Sequence, residues 1–191
     1  MRDALFITAC TALVLVFLFT GCGSGSEGGR KTATEPLERL DPNSVAIYPA
    51  SRRAEAQDFT VTLLNGDSFQ LSEQRGKVVV LNIWATWCAP CHTETPDLVD
   101  LYETYRDEGL VVLGVSLDDR GESVVRPFME KYGVTYPIYI DRQDVVMDKY
   151  GPTMAVPTTY ILGKKGEIRY FATGALTRKE LEPRLRDLLQ E

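Results

Sequence analysis

The apolar positions of this chain fall into two kinds of run. Lys77 to Trp84 (KVVVLNIW) and Leu110 to Leu117 (LVVLGVSL) are nearly unbroken, of strand length and rich in β-branched residues. That predicts strands buried on both faces at the centre of a sheet. Two further stretches read as hairpins. Phe59 to Leu64 and Ser68 to Leu71 flank Asn65-Gly66, a two-residue turn signal. Thr158 to Leu162 and Ile168 to Ala172 flank Gly163-Lys164-Lys165-Gly166, and Pro137 to Ile140 is a short strand.

Between the strands the chain reads as helix. Pro90 suits the first turn of a helix running to Glu108, with Gly109 where a left-handed cap is expected. Pro96 must kink or loosen that helix. Ser123 to Tyr132 is helical with apolar Val124, Phe128 and Met129, and Asp144 to Tyr150 is a shorter helix. Thr177 with Glu180 three residues on is a capping box for a last helix, whose start Pro183 is expected to delay. Strands alternating with helices and closed by a hairpin predict an α/β fold, a mixed central sheet flanked by helices.

The N-terminus differs. Leu5 to Phe19 is apolar apart from Thr8 and Thr11, and its 15 residues are too few to span a bilayer, as in a signal-peptide h-region. It runs into Leu18-Phe19-Thr20-Gly21-Cys22, which resembles a bacterial lipoprotein lipobox, with Cys22 the lipidated first residue. An uncleaved anchor and simple secretion are the alternatives. Lipoproteins of this type carry two or three acyl chains; one alone would be marginal at ~0.8 kcal/mol per buried methylene. Gly23-Ser24-Gly25-Ser26-Glu27-Gly28-Gly29 is a flexible tether by composition. As random coil, Gly23 to Gln57 spans ~30 to 35 Å, although Leu37, Leu40, Val45, Ile47 and Tyr48 are apolar enough to dock on the domain. The expected organisation is a signal peptide over 1–21, a lipidated tether over 22–57 and one domain over 58–191.

This organisation settles the cysteines. Of four, Cys10 leaves with the signal and Cys22 is lipidated, so Cys88 and Cys91 are the free thiols, in an oxidising extracytoplasmic compartment. They can pair with each other or with a client. A structural zinc site needs four ligands, which these two and the sole histidine, His92, do not supply; no metal and no cofactor is expected. A net charge of −6, with the two signs interspersed, argues against nucleic acid. His92 is also the only imidazole available to any Ser-His or Cys-His pair, which argues against hydrolase chemistry.

Those cysteines lie in Trp87-Cys88-Ala89-Pro90-Cys91-His92, which reads in two ways. Its tail, CAPCH, spells the attachment site of a c-type haem; its front spells a dithiol redox site. Trp84-Ala85-Thr86-Trp87-Cys88-Ala89-Pro90-Cys91, after an apolar strand and opening a helix, resembles the thioredoxin active site. Pro96, five residues on, matches that fold's kinked helix, and Val156-Pro157-Thr158 resembles its cis-proline loop. The dithiol reading thus accounts for five residues that the haem reading leaves idle, and needs His92 only as an ordinary surface residue.

The edge hairpin, the extra helix and strand between Ser123 and Ile140, and the lipid anchor resemble the TlpA/ResA-like branch of membrane-tethered thiol-disulfide oxidoreductases, over Asp58 to about Leu189. Asn82 stands where thioredoxin has a buried acid, and Glu94 matches the acidic residue of the branch's Cys-x-x-Cys-x-x-Glu-x-Pro. The resemblance implies a catalytic role for Glu94; the plain alternative is a solvated helix face. Cys88 should attack a client disulfide and Cys91 resolve the mixed disulfide, with Trp87, Val156 and Pro157 as the docking edge. The resemblance further implies reduction of client proteins outside the cytoplasm, apocytochrome c among them, with electrons from a membrane thiol carrier; oxidation of clients is the alternative direction, and a monomer is expected. A peroxiredoxin is the enzymatic rival, but Leu81 and Ala85 occupy the Pro and Thr places of its Pro-x-x-x-Thr-x-x-Cys.

Overall fold

The computed structural model describes residues 45–47, 53–151 and 155–191. The expected signal peptide, Cys22 and most of the tether lie outside the described residues. Strands β1 (Val45–Ile47), β4 (Val78–Trp84), β5 (Leu110–Ser116), β6 (Ile138–Ile140), β7 (Thr158–Leu162) and β8 (Ile168–Thr173) form one sheet in the order β1-β8-β7-β4-β5-β6. β4 is parallel to β5, and β5 to β6; β7 runs antiparallel to β4 and β8, and β1 to β8. This is the mixed sheet the apolar runs predict, with every residue of β4 buried.

Alternation along β4 sorts its side chains onto two faces. Val78, Val80 and Trp84 pack with residues of α1 (Ala89–Tyr105), α2 (Glu122–Tyr132) and α4 (Arg178–Leu189). Val79, Leu81 and Ile83 join the cluster made with Phe59 and Phe69 and with Tyr150 of α3 (Met147–Tyr150). Phe59 and Phe69 flank and belong to the separate hairpin β2 (Thr60–Thr62) and β3 (Ser68–Gln70). Asn82, even-numbered like Val80 and Trp84, therefore points to the α1 face. On the same face Gly114 leaves room: a Cβ there would lie 2.5 Å from Ile138 Cδ1 and 3.0 Å from Trp84 Nε1.

Local details depart from the sequence reading at the β2–β3 turn and at the start of α4. The β2–β3 turn is longer than two residues: Leu63 N–H donates to the Asp67 carbonyl at 2.8 Å, Gly66 N–H to the Leu63 carbonyl at 2.9 Å, and Gly66 has φ 93°. The glycine serves as the left-handed residue of a longer connection. α4 starts at Arg178 without delay, because Thr177 and Glu180 bond each other's backbone reciprocally; Pro183 sits inside it and removes only the donor for the carbonyl of exposed Lys179. Upstream of residue 58, β1 pairs along β8, and Ala56 N–H donates to the Gly166 carbonyl at 2.9 Å.

Candidate active site

β4 ends at Trp84, and the chain turns through Ala85, Thr86 and Trp87 into α1. Cys88 is the N-cap of that helix (φ −86°, ψ 105°), and its sulfur accepts the Cys91 N–H at 3.2 Å. Unpaired N–H groups and the helix dipole favour negative charge at this point, which is the condition for a reactive thiolate. In this structure the two sulfurs are bonded to each other, with Cα atoms 5.3 Å apart. α1 carries Pro96 in its interior and passes through Arg106–Glu108, a 3₁₀ turn, to Gly109 at φ 99°.

The loop before β7 closes over the sulfurs. The Val156–Pro157 peptide is cis, and the Val156 carbonyl lies 3.3 Å from Cys88 Sγ. A disulfide sulfur has no proton to give, so this is a contact here and a hydrogen bond only for a thiol. The Pro157 carbonyl is taken by Gly174 N–H at 2.8 Å. Beside this loop Trp87 is 68% exposed, alone among large apolar side chains of the described residues, while Cys88 and Cys91 are buried.

Glu94 is on the same face of α1 as Cys91, three residues on. Its side is not solvated: the residue is 2% exposed. Its carboxylate accepts Asn82 Nδ2 at 2.9 Å and the Leu176 N–H at 3.0 Å, while Asn82 Nδ2 also donates to Thr159 Oγ1 at 2.9 Å. Burial pushes the Glu94 carboxyl up to about 7; the bonds from Leu176 and Asn82 oppose that rise and Asp97 adds to it. Tyr136, buried against Thr95 and facing Glu94, has its phenol pushed well above the usual range, first by burial and then by that carboxylate. An acid that titrates near neutrality one turn from a dithiol is equipped to give or take a proton there. On this face the strand presents the Asn82 amide, and the buried carboxylate beside it is that of Glu94 on the helix.

His92 is not the ordinary surface residue expected. It is half-buried, with Nε2 2.8 Å from the Thr86 carbonyl and Nδ1 2.7 Å from the Tyr132 hydroxyl. Thr86 is also held by Asp118, through its N–H at 2.9 Å and its hydroxyl at 2.6 Å. The haem reading of CAPCH needs two sulfurs free for thioether bonds and an imidazole turned outward. Here the sulfurs are joined and both ring nitrogens are engaged. Sequence reasoning missed Asp118, Tyr132, Tyr136 and Thr159, because nothing in their spacing relates them to the cysteines.

Fold, cis-proline loop and a CxxC at a helix N-terminus together define a thioredoxin-like dithiol protein. The AhpC/TSA family matches residues 53–171. Over 135 residues the chain is 42% identical to "Thiol-disulfide oxidoreductase ResA" of Geobacillus kaustophilus, covering 70% of this chain and 75% of that one. It is 39% identical over 132 residues to "Thioredoxin-like protein YneN" of Bacillus subtilis, covering 69% and 76%. Among solved structures, a secreted thiol-disulfide isomerase from Corynebacterium glutamicum superposes with a TM-score of 0.73 at 26% identity, covering 82% of this chain and 96% of that one. A DsbF homologue from Corynebacterium diphtheriae gives 0.67 at 29%, covering 75% and 92%. The chain belongs to the AhpC/TSA family and, within it, to the ResA-like thiol-disulfide oxidoreductases.

Proposed function

We propose that this protein reduces disulfides of client proteins outside the cytoplasm, held at the membrane through a lipid on Cys22. The observation that carries the reading is the Cys88 sulfur, capping α1 through the Cys91 N–H at 3.2 Å and facing the Val156 carbonyl at 3.3 Å. Reduced Cys88 attacks one sulfur of a client disulfide, forming a mixed disulfide and releasing the first client thiolate. Cys91 then attacks Cys88, freeing the second client thiolate and closing the Cys88–Cys91 disulfide. Two electrons have passed to the client, and a membrane dithiol carrier restores them. Glu94 exchanges the proton that Cys91 must lose and regain. Trp87, the Pro157 ring and the backbone of Val156 receive an extended client segment, and the protein acts as a monomer. Apocytochrome c is the client class that the resemblance to ResA supports.

Positioning matters more than thiol acidity in this scheme. For any thiol, lowering a pKa from ~8.5 to ~7 raises the thiolate fraction at neutral pH ~16-fold, while nucleophilicity falls ~5-fold, a net gain of ~3-fold. Client docking and the intramolecular attack by Cys91 supply the rest. The peroxidase rival has no support at Leu81 and Ala85, and the named relatives are thiol-disulfide oxidoreductases. The test traps the intermediate: Cys91→Ser should accumulate client adducts on non-reducing gels that dithiothreitol dissolves and that Cys88→Ser does not form. Equal adducts from both variants would defeat the assignment of roles.

A further inference from the structure

His92 is left over from the dithiol chemistry, yet it is among the most constrained side chains near the site. A carbonyl oxygen can only accept, so the 2.8 Å contact to Thr86 places a proton on Nε2. His92 Nδ1 lies within hydrogen-bond distance of the Tyr132 hydroxyl, at 2.7 Å. Its ring meets Phe128 edge-on at 5.0 Å and Tyr132 at 5.5 Å. The ring thus joins three elements: the loop entering the site, the first turns of α1, and the last residue of α2. At the loop, all the hydrogen-bonding groups of Thr86 are used. Its N–H and hydroxyl go to Asp118, which Ser116 holds in turn at 2.9 Å, and its carbonyl goes to His92. One residue later stands exposed Trp87; two later stands Cys88, whose own N–H is bound to the Ala85 carbonyl at 3.2 Å.

We propose that His92 is a positioning residue for disulfide exchange: through the Thr86 carbonyl it fixes the peptide that presents Trp87 to clients and Cys88 to Cys91. A loop held from both sides loses little freedom when the ring of the disulfide closes or a client docks, so less of the interaction is spent on ordering. The chain Tyr132–His92–Thr86 should therefore favour closure of the Cys88–Cys91 disulfide and speed attack by Cys88.

The inference rests on the dithiol reading, and the measurement separates the two. The full chain is equilibrated with glutathione and assayed for reduction of insulin disulfides; an inactive wild type sinks the dithiol reading rather than this one. His92→Phe keeps an aromatic ring against Phe128 but neither nitrogen. It should lower the equilibrium constant for disulfide closure about 5-fold, the ratio carried by one net hydrogen bond, or about 20 mV at about 30 mV per tenfold. Insulin reduction should slow by a similar factor. His92→Gln, whose amide reaches as far as Nε2, should restore both values to within about 2-fold. Tyr132→Phe removes one oxygen; it should act in the same direction alone and add nothing in the His92→Phe background. Wild-type constants in His92→Phe, no rescue by Gln, or full additivity with Tyr132→Phe would each overturn the proposal. Should His92→Phe fail to fold, Tyr132→Phe decides alone, wild-type values then counting against it.

Discussion

Glu94→Gln exchanges a buried acid for an amide of nearly the same shape and so isolates what its charge does. Burial is the largest cause of its rise from 4.5 to about 7, with Asp97 adding and the bonds from Leu176 and Asn82 subtracting. With Cys88 and Cys91 oxidised, neither thiol titrates to confuse the reading. A carboxyl whose folded pKa lies above its unfolded value holds its proton more tightly when folded. Its contribution is therefore complete below about 4.5 and is lost as pH rises through about 7. With those two values the loss between about pH 5.5 and about pH 8.5 amounts to about 2 kcal/mol, of a full span near 3 kcal/mol. Urea unfolding of the oxidised protein at both pH values should show wild type losing about 2 kcal/mol more than Glu94→Gln. Parallel pH dependences in the two proteins would refute the buried-acid account. The same variant, reduced and given a protein client, should turn over more slowly, by at most the ~10² to 10⁴ that a positioned acid-base group supplies. A flattened pH profile with unchanged turnover would leave Glu94 a structural acid and remove it from the mechanism.

Other substitutions separate docking, packing and anchoring. Trp87→Ala removes an exposed ring, so stability should stay within about 0.5 kcal/mol while KM for a protein client rises and the rate with a small disulfide holds; equal effects on both substrates would count against a docking role. Gly114→Ala puts a methyl 2.5 Å from Ile138 Cδ1 and should cost about 1 to 3 kcal/mol by denaturant unfolding; an unshifted midpoint would show that strand β5 has room to spare. Cys22→Ser should release the protein from membranes with dithiol activity intact, whereas unchanged retention would assign anchoring to residues 5–19.

Much of the fold was legible because it rests on local pattern. The unbroken run in β4 announced a central strand, Gly109 announced the end of the α1 segment at φ 99°, and Thr177 with Glu180 announced the start of α4. Cys88 and Cys91 were legible too, since a helix N-terminus and a three-residue spacing are properties of adjacent sequence. What escaped was decided by groups far along the chain. Glu94 has the same spacing in either of its readings, and whether its side of α1 faces water depends on Asn82, 12 residues upstream, and on the Leu176 N–H, 82 residues downstream. His92 likewise looked like surface, until the turn brought the Thr86 carbonyl to one nitrogen and α2 brought Tyr132, 40 residues away, to the other. A sequence determines which side chains share a strand face or a helical turn, because backbone periodicity fixes that locally. Which polar groups are buried together, and so which acid titrates near neutrality and which imidazole is locked, follows only from how the sheet, α1 and α2 pack, because desolvation and hydrogen bonding act across contacts that the chain makes at a distance.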